Sequence, residues 1–108
     1  MATGDAPVME ALIEINAASL ARTELDARSL MLVRLAALAA VDAPASSYLL
    51  HVRPAVETGL TVEDAEDVLV AVAPIVGTPR TASAAAKIVA ALGLAIELAE
   101  DAESAQDA

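Results

Sequence analysis

From Ser29 to Val41 the chain reads SLMLVRLAALAAV, apolar at every position except Ser29 and Arg34. A helix with this surface cannot face water over much of its circumference, so other elements must wrap it on most sides. Asp26 precedes it as a candidate N-cap. The segment "LDARSLMLVRLAALAAV" is therefore expected to be the central helix of an all-α domain. Arg34 interrupts it, and a charge among such neighbours needs a partner. Two readings stay open: a structural ion pair, with Glu57 or the acids of "VEDAED" as partners, or an anchor for an anionic ligand.

The flanking segments supply helices to do the wrapping. "DAPVMEALIEINAASLA" offers Asp5 as cap and Pro7 in the first turn, then sets Val8, Leu12, Ile15 and Ser19 along one stripe flanked by Met9, Ile13 and Leu20. This helix is expected to end near Arg22. After the central helix, Pro44 disfavours helical backbone at Ala43, and Asp42 or Ala43 is a candidate cap for a third helix from Ser46 to about Thr58. Pro54 inside it predicts a kink or a weakened turn, and Gly59 a left-handed stop. "TVEDAEDVL" carries the strongest local signal, with Thr61 as cap and Asp64 at the reciprocal capping-box position, so a fourth helix begins at Val62. Pro74 and Gly77 bend or end it. Thr78 and Pro79 then start a fifth helix reaching about Glu100. The acidic residues 101–108 offer no face to bury and are expected to be disordered beyond a single domain over 1–100.

Composition sets what this assembly can be made of and what it can meet. The 108 residues are 57% hydrophobic and include no Trp, Phe or Cys and one Tyr. Mean hydropathy is +0.61. The core must come from Leu, Val, Ile, Met and Ala, and the apolar excess predicts that surface is hidden by self-association. A formal net charge of −10, with six basic residues scattered along the chain, argues against nucleic acid and anionic membrane surfaces. Arg34, Lys87, Pro74 and Gly77 interrupt the apolar runs, so none is expected to reach the roughly 18 residues of a spanning helix. The acidic N-terminus lacks the basic region of a signal peptide, which predicts a cytoplasmic protein. Without cysteine, disulfides, thiolate metal sites and thiol redox chemistry are excluded. No metal ligand set is apparent, because the acids of "VEDAED" spread around a helix turn, and no cofactor is expected.

The single His51 and single Tyr48 lie three positions apart in "SSYLLHVRP", with Ser47 four positions before His51. On a helix these three can share a face. An imidazole can take or give a proton near neutral pH, so one reading makes His51 a base with Tyr48 as its orienting or proton-donating partner. The other makes Tyr48 an interface filler and His51 a satisfied polar residue between helices.

The order of these features, "LDARSLMLVRLAALAA", then "HVRPAVETGLT", "TVEDAEDVL" and the break "VGTP", resembles the carboxymuconolactone decarboxylase family, which includes alkylhydroperoxidase D-like proteins. The likeness runs from about Leu25 to Leu92. It implies an all-α fold of about five helices, with hairpins from several subunits packed as a homotrimer or hexamer. In the peroxidase-like branch two cysteines precede the histidine as C-x-x-C-x-x-x-H. Aligned on His51 those positions are Pro44 and Ser47, and the branch's relay glutamate falls near Ser29 or Leu32. Neither pair carries the required chemistry, so thiol peroxidase activity is excluded. The decarboxylase-like branch needs no cysteine, and its histidine matches His51. The resemblance thus implies a cofactor-free decarboxylase or isomerase of a small carboxylated compound with His51 at the catalytic position; helical spacing sets Tyr48 and Ser47 beside it, and an anionic substrate needs a cationic anchor, for which Arg34, Arg53 and Arg80 are the candidates. The alternative is a non-catalytic structural or small-molecule-binding homo-oligomer. "VGTP" departs from the aromatic-containing form of that break.

Overall fold

A computed structural model describes residues 2–107 of the chain, and the side chains of residues 6–104 except Ile96, Leu98 and Ala99. Five helices follow one another: α1 (Ala2–Arg22), α2 (Ala27–Ala40), α3 (Ala45–Glu57), α4 (Val62–Val76) and α5 (Thr78–Asp107). The helix α2 is the hub, packed against α3, α4 and α5, while α5 also packs on α3 and α4. Leu35 and Ala39 of α2, Tyr48 and Val52 of α3, Leu69 of α4, and Ile88 and Leu92 of α5 form the buried centre. The apolar circumference of α2 is covered except along Val33, Ala37 and Ala40, which are exposed.

The helix boundaries follow from local chemistry. Asp26 caps α2, its carboxylate accepting from the Ser29 amide at 2.7 Å and the Ser29 hydroxyl at 3.0 Å. Those bonds hold its carboxyl below the ordinary range. The helix α3 closes in a Schellman turn: Gly59 takes φ +86°, its amide donates to Val56 at 3.0 Å, and the Leu60 amide donates to Ala55 at 3.1 Å. The end of α2 repeats this pattern with Asp42 in place of glycine, at φ +51°. There the Asp42 amide reaches Ala39 at 3.2 Å and the Ala43 amide reaches Leu38 at 3.0 Å. A left-handed non-glycine residue costs stability and needs support, which α5 provides. Ser83 donates to Asp42 Oδ1 at 3.1 Å, and Lys87 Nζ lies 3.5 Å from the same oxygen and donates to the Ala43 carbonyl at 2.9 Å.

Several expectations change. Neither Asp42 nor Ala43 caps α3, because both are spent in the turn that ends α2. Pro44 occupies the cap position without a side-chain bond. As expected, the helix α3 runs on through Pro54, whose missing donor falls on the exposed side near Leu50. The helix α1 begins at Ala2 rather than after Asp5, whose side chain is outside those described. The acidic tail, expected to be disordered, extends α5 to Asp107, since adding residues to an existing helix avoids the nucleation cost. Residues 101–104 are exposed. Helix α5 also exceeds the expectation drawn from uninterrupted apolar runs: over Thr78–Ser104 it is long and apolar enough, by length and composition, to cross a membrane. Its isolated Lys87 and Arg80 interrupt the run without lowering the average enough, and Ala84, Ile88, Ala91 and Leu92 are buried against the other helices.

The starts of α2 and α4 are tied by a bidentate pair between Arg28 and Asp64, at 2.8 and 3.1 Å. Asp64 also completes the capping box, accepting from the Thr61 amide at 3.0 Å while its own amide donates to the Thr61 hydroxyl at 3.1 Å. The guanidinium and the cap donors together lower its carboxyl from 3.8 to about 2. The unfolded chain therefore takes up this proton first as pH falls. The contribution of Asp64 to stability is expected to be complete above about pH 4 and lost as pH falls toward 2. Denaturant titrations across that range should show Asp64→Asn less stable than the parent at pH 7, with the difference shrinking toward pH 2.

Candidate functional site

His51 lies in the middle of α3, half-buried beside the seam formed by Tyr48, Val52 and Ala55. Its Nδ1 is 2.8 Å from the Ser47 carbonyl oxygen. A carbonyl only accepts, so Nδ1 carries the proton, and in the neutral ring the Nε2 lone pair is left free. The orienting group is thus the backbone of Ser47, one turn earlier, and not its hydroxyl. Tyr48, three residues before His51, is 0% exposed and points into the core. Its hydroxyl has no hydrogen-bond partner among the described residues. Burial, and secondarily the Asp42 carboxylate, push the phenol above its ordinary range. The structure therefore does not join Tyr48 to His51 by a hydrogen bond.

The arginines are distributed to other tasks. Arg34 is half-buried, and it pairs with neither Glu57 nor the acids of α4. Its Nη1 donates to Asn16 Oδ1 at 2.7 Å and its Nη2 to Ser19 Oγ at 3.0 Å, tying α2 to the end of α1. Asp64, one of the acids open to Arg34, is held by Arg28 instead. Arg80 donates to the Ala40 carbonyl at 3.0 Å, satisfying a carbonyl at the negative end of α2. Arg53 is exposed and sits two residues after His51, about 200° around the helix, so the two project to opposite sides. Two apolar depressions lie elsewhere: one of about 510 Å³ between α4 and α5, and one of about 320 Å³ between α3 and α5. His51, Tyr48, Ser47, Arg34 and Arg53 line neither. Among the described residues no three His, Asp or Glu side chains cluster as metal ligands.

Against this geometry, residues 6–91 match the carboxymuconolactone decarboxylase family. The chain belongs to that family. No curated protein and no solved structure matches it. The family match begins well before Leu25 and takes in α1, which the sequence comparison by motif left out. Pro44 stands at the cap of α3, and the carbonyl of Ser47 holds His51. The residues that sequence reading missed are Asn16 and Ser19. Both interrupt the apolar stripe region of α1, as Arg34 interrupts that of α2, and such matched polar interruptions are the signal that pairs them.

A phenol buried without a partner bears a desolvation cost that phenylalanine avoids. Tyr48→Phe is expected to leave thermal stability unchanged or raise it by up to about 1 kcal/mol. A loss of more than that in a melting experiment would show that the hydroxyl is hydrogen-bonded in the assembled protein.

Proposed function

We propose that the protein is a cofactor-free acid–base enzyme, a decarboxylase or isomerase of a small carboxylated compound, working as a homotrimer or hexamer in the cytoplasm. The observation that carries this reading is the Nδ1 to Ser47 carbonyl bond of 2.8 Å, which fixes the ring and leaves Nε2 for proton transfer. In the decarboxylation of an unsaturated lactone acid, the bond from the ring carbon to the carboxylate breaks and CO2 leaves. The electron pair passes into the lactone as an enolate, and a proton from the imidazolium Nε2 quenches it. In isomerisation the neutral Nε2 takes a proton from a carbon beside a carbonyl and returns it to another carbon. Arg53 is an anchor whose guanidinium has no partner among the described residues, and because it projects away from His51, it serves a His51 on a neighbouring copy. Arg34 is the second anchor.

A specific observation favours the alternative of a non-catalytic, ligand-binding or structural homo-oligomer. Tyr48 is wholly buried and Arg34 is committed to α1, so two of the proposed site residues already have structural work. Turnover of carboxylated lactones, followed as CO2 release, distinguishes the two. His51→Ala and His51→Gln are expected to lower turnover at least about 100-fold, the usual contribution of a general acid–base group, while native mass measurement shows unchanged assembly. Turnover equal to that of the parent removes His51 from the chemistry. An inactive parent with normal assembly supports the non-catalytic reading.

A further inference from the structure

The chain ties its helices with two kinds of guanidinium contact. Arg28 is held by the Asp64 carboxylate through bonds of 2.8 and 3.1 Å, charge against charge. Arg34 forms no ion pair among the described residues, and its bonds go to a neutral amide oxygen, Asn16 Oδ1 at 2.7 Å, and a neutral hydroxyl, Ser19 Oγ at 3.0 Å. A guanidinium has five N–H donors in a flat fork, and these contacts use one on each Nη. Its charge is left uncompensated in a half-buried place: Leu30 and Met31, one turn before it on α2, are buried, and Leu38, one turn after, is half-buried. Water screens a charge less there than on an open surface.

The two acceptors stand on a helix with little else to hold it. The backbone of α1 comes close to no other helix, and the side chains of residues 6–17 are all exposed. Among the described residues, the two Arg34 bonds are the only hydrogen bonds between α1 and the other helices. A helix in a protein draws most of its order from packing, so the order of α1 depends heavily on this one side chain. We propose that Arg34 is an exchangeable carboxylate site: a small carboxylate takes the guanidinium fork in place of Asn16 and Ser19, and α1 is released as it binds. The exchange is favoured because a carboxylate accepts two parallel charge-assisted bonds, each roughly twice as strong as a neutral one, while Asn16 and Ser19, both exposed, return to water. The net charge of −10 works against every anion, so the site favours one that engages the fork at two points over a single-point anion such as chloride. Attachment and ligand compete for one side chain, so removing the attachment tightens the ligand. The proposal rests on the anchor role given to Arg34 above; its test reads binding and the order of α1 rather than turnover, so it stands or falls apart from His51.

Malonate serves as the probe for the full-length protein, with sodium chloride at equal ionic strength as the control. Malonate is expected to speed amide hydrogen exchange across residues 8–20 at least about five-fold over chloride, while the amides around Leu35 and Ile88 keep their protection. Asn16→Ala combined with Ser19→Ala removes both acceptors at exposed positions. This double variant is expected to exchange rapidly over the same residues without malonate, and to bind malonate at least about five-fold more tightly by calorimetry. Arg34→Gln is expected to abolish the malonate response. Equal or weaker binding by the double variant would overturn the proposal, because the anion would then not be competing with Asn16 and Ser19. So would binding that leaves α1 exchange unchanged, a response that chloride reproduces, a response that survives Arg34→Gln, or no binding by parent and double variant alike.

Discussion

Everything in this fold depends on covering α2. A helix apolar on nearly every side is tolerable only when three others surround it, and α3, α4 and α5 do so around Leu35 and Ala39. With no Phe or Trp to fill space, the cover is made by bringing helices close on Ala39, Ala55, Ala65, Ala84 and Ala91. Aliphatic side chains then interdigitate between them. Close approach has a consequence at the helix ends, where connections must be short and turns tight. Asp42 accepts a left-handed backbone there, and α5 contributes Ser83 and Lys87 to hold it.

Local signals were the legible part. Asp26, Thr61 with Asp64, and Gly59 each act within a few residues of their position, so their chemistry can be read from neighbours alone. What resisted reading was any interaction set by the relative placement of helices. Arg28 and Asp64 are 36 positions apart, and Asp64 already had a sufficient local role as a capping residue, so nothing in its surroundings called for an arginine. Arg34 invited an acid and received two neutral acceptors on α1, because the helix that reaches it carries Asn16 and Ser19 at that height. Asp42 was read as a helix start, yet it ends the preceding helix. The two roles use the same residue type, and only the backbone distinguishes them.

For the candidate site, the sequence offered a residue and its register: the family resemblance singled out His51, and spacing placed it on a helix with Tyr48 and Ser47. Which atom orients the ring could not be read, since the partner is a backbone carbonyl that every residue possesses. Equal spacing also hid a difference in direction. Tyr48 falls on the seam toward α2 and α5, while His51 falls beside it, and that small rotation separates a core side chain from a half-exposed one.

The disposition of positive charge limits what chemistry His51 can serve. Of the six cations, Arg28 is paired with Asp64, Lys87 with Asp42, Arg80 with the end of α2, and Arg34 with α1. Arg22 and Arg53 alone form no hydrogen bond or ion pair among the described residues. A carboxylated substrate entering a chain of net charge −10 gains little from the overall field and depends on a specific guanidinium to hold it. Arg53 projects away from the His51 of its own chain, so in an acid–base enzyme this cation would meet the base of a neighbouring copy. Arg34 is bound by neutral acceptors, which hold a guanidinium less strongly than a carboxylate does, so it is the engaged arginine from which an anion would most readily displace its present partners. In the catalytic reading, recognition of an anion and attachment of α1 would draw on the same side chain, and the action of His51 would be tied to how the copies assemble.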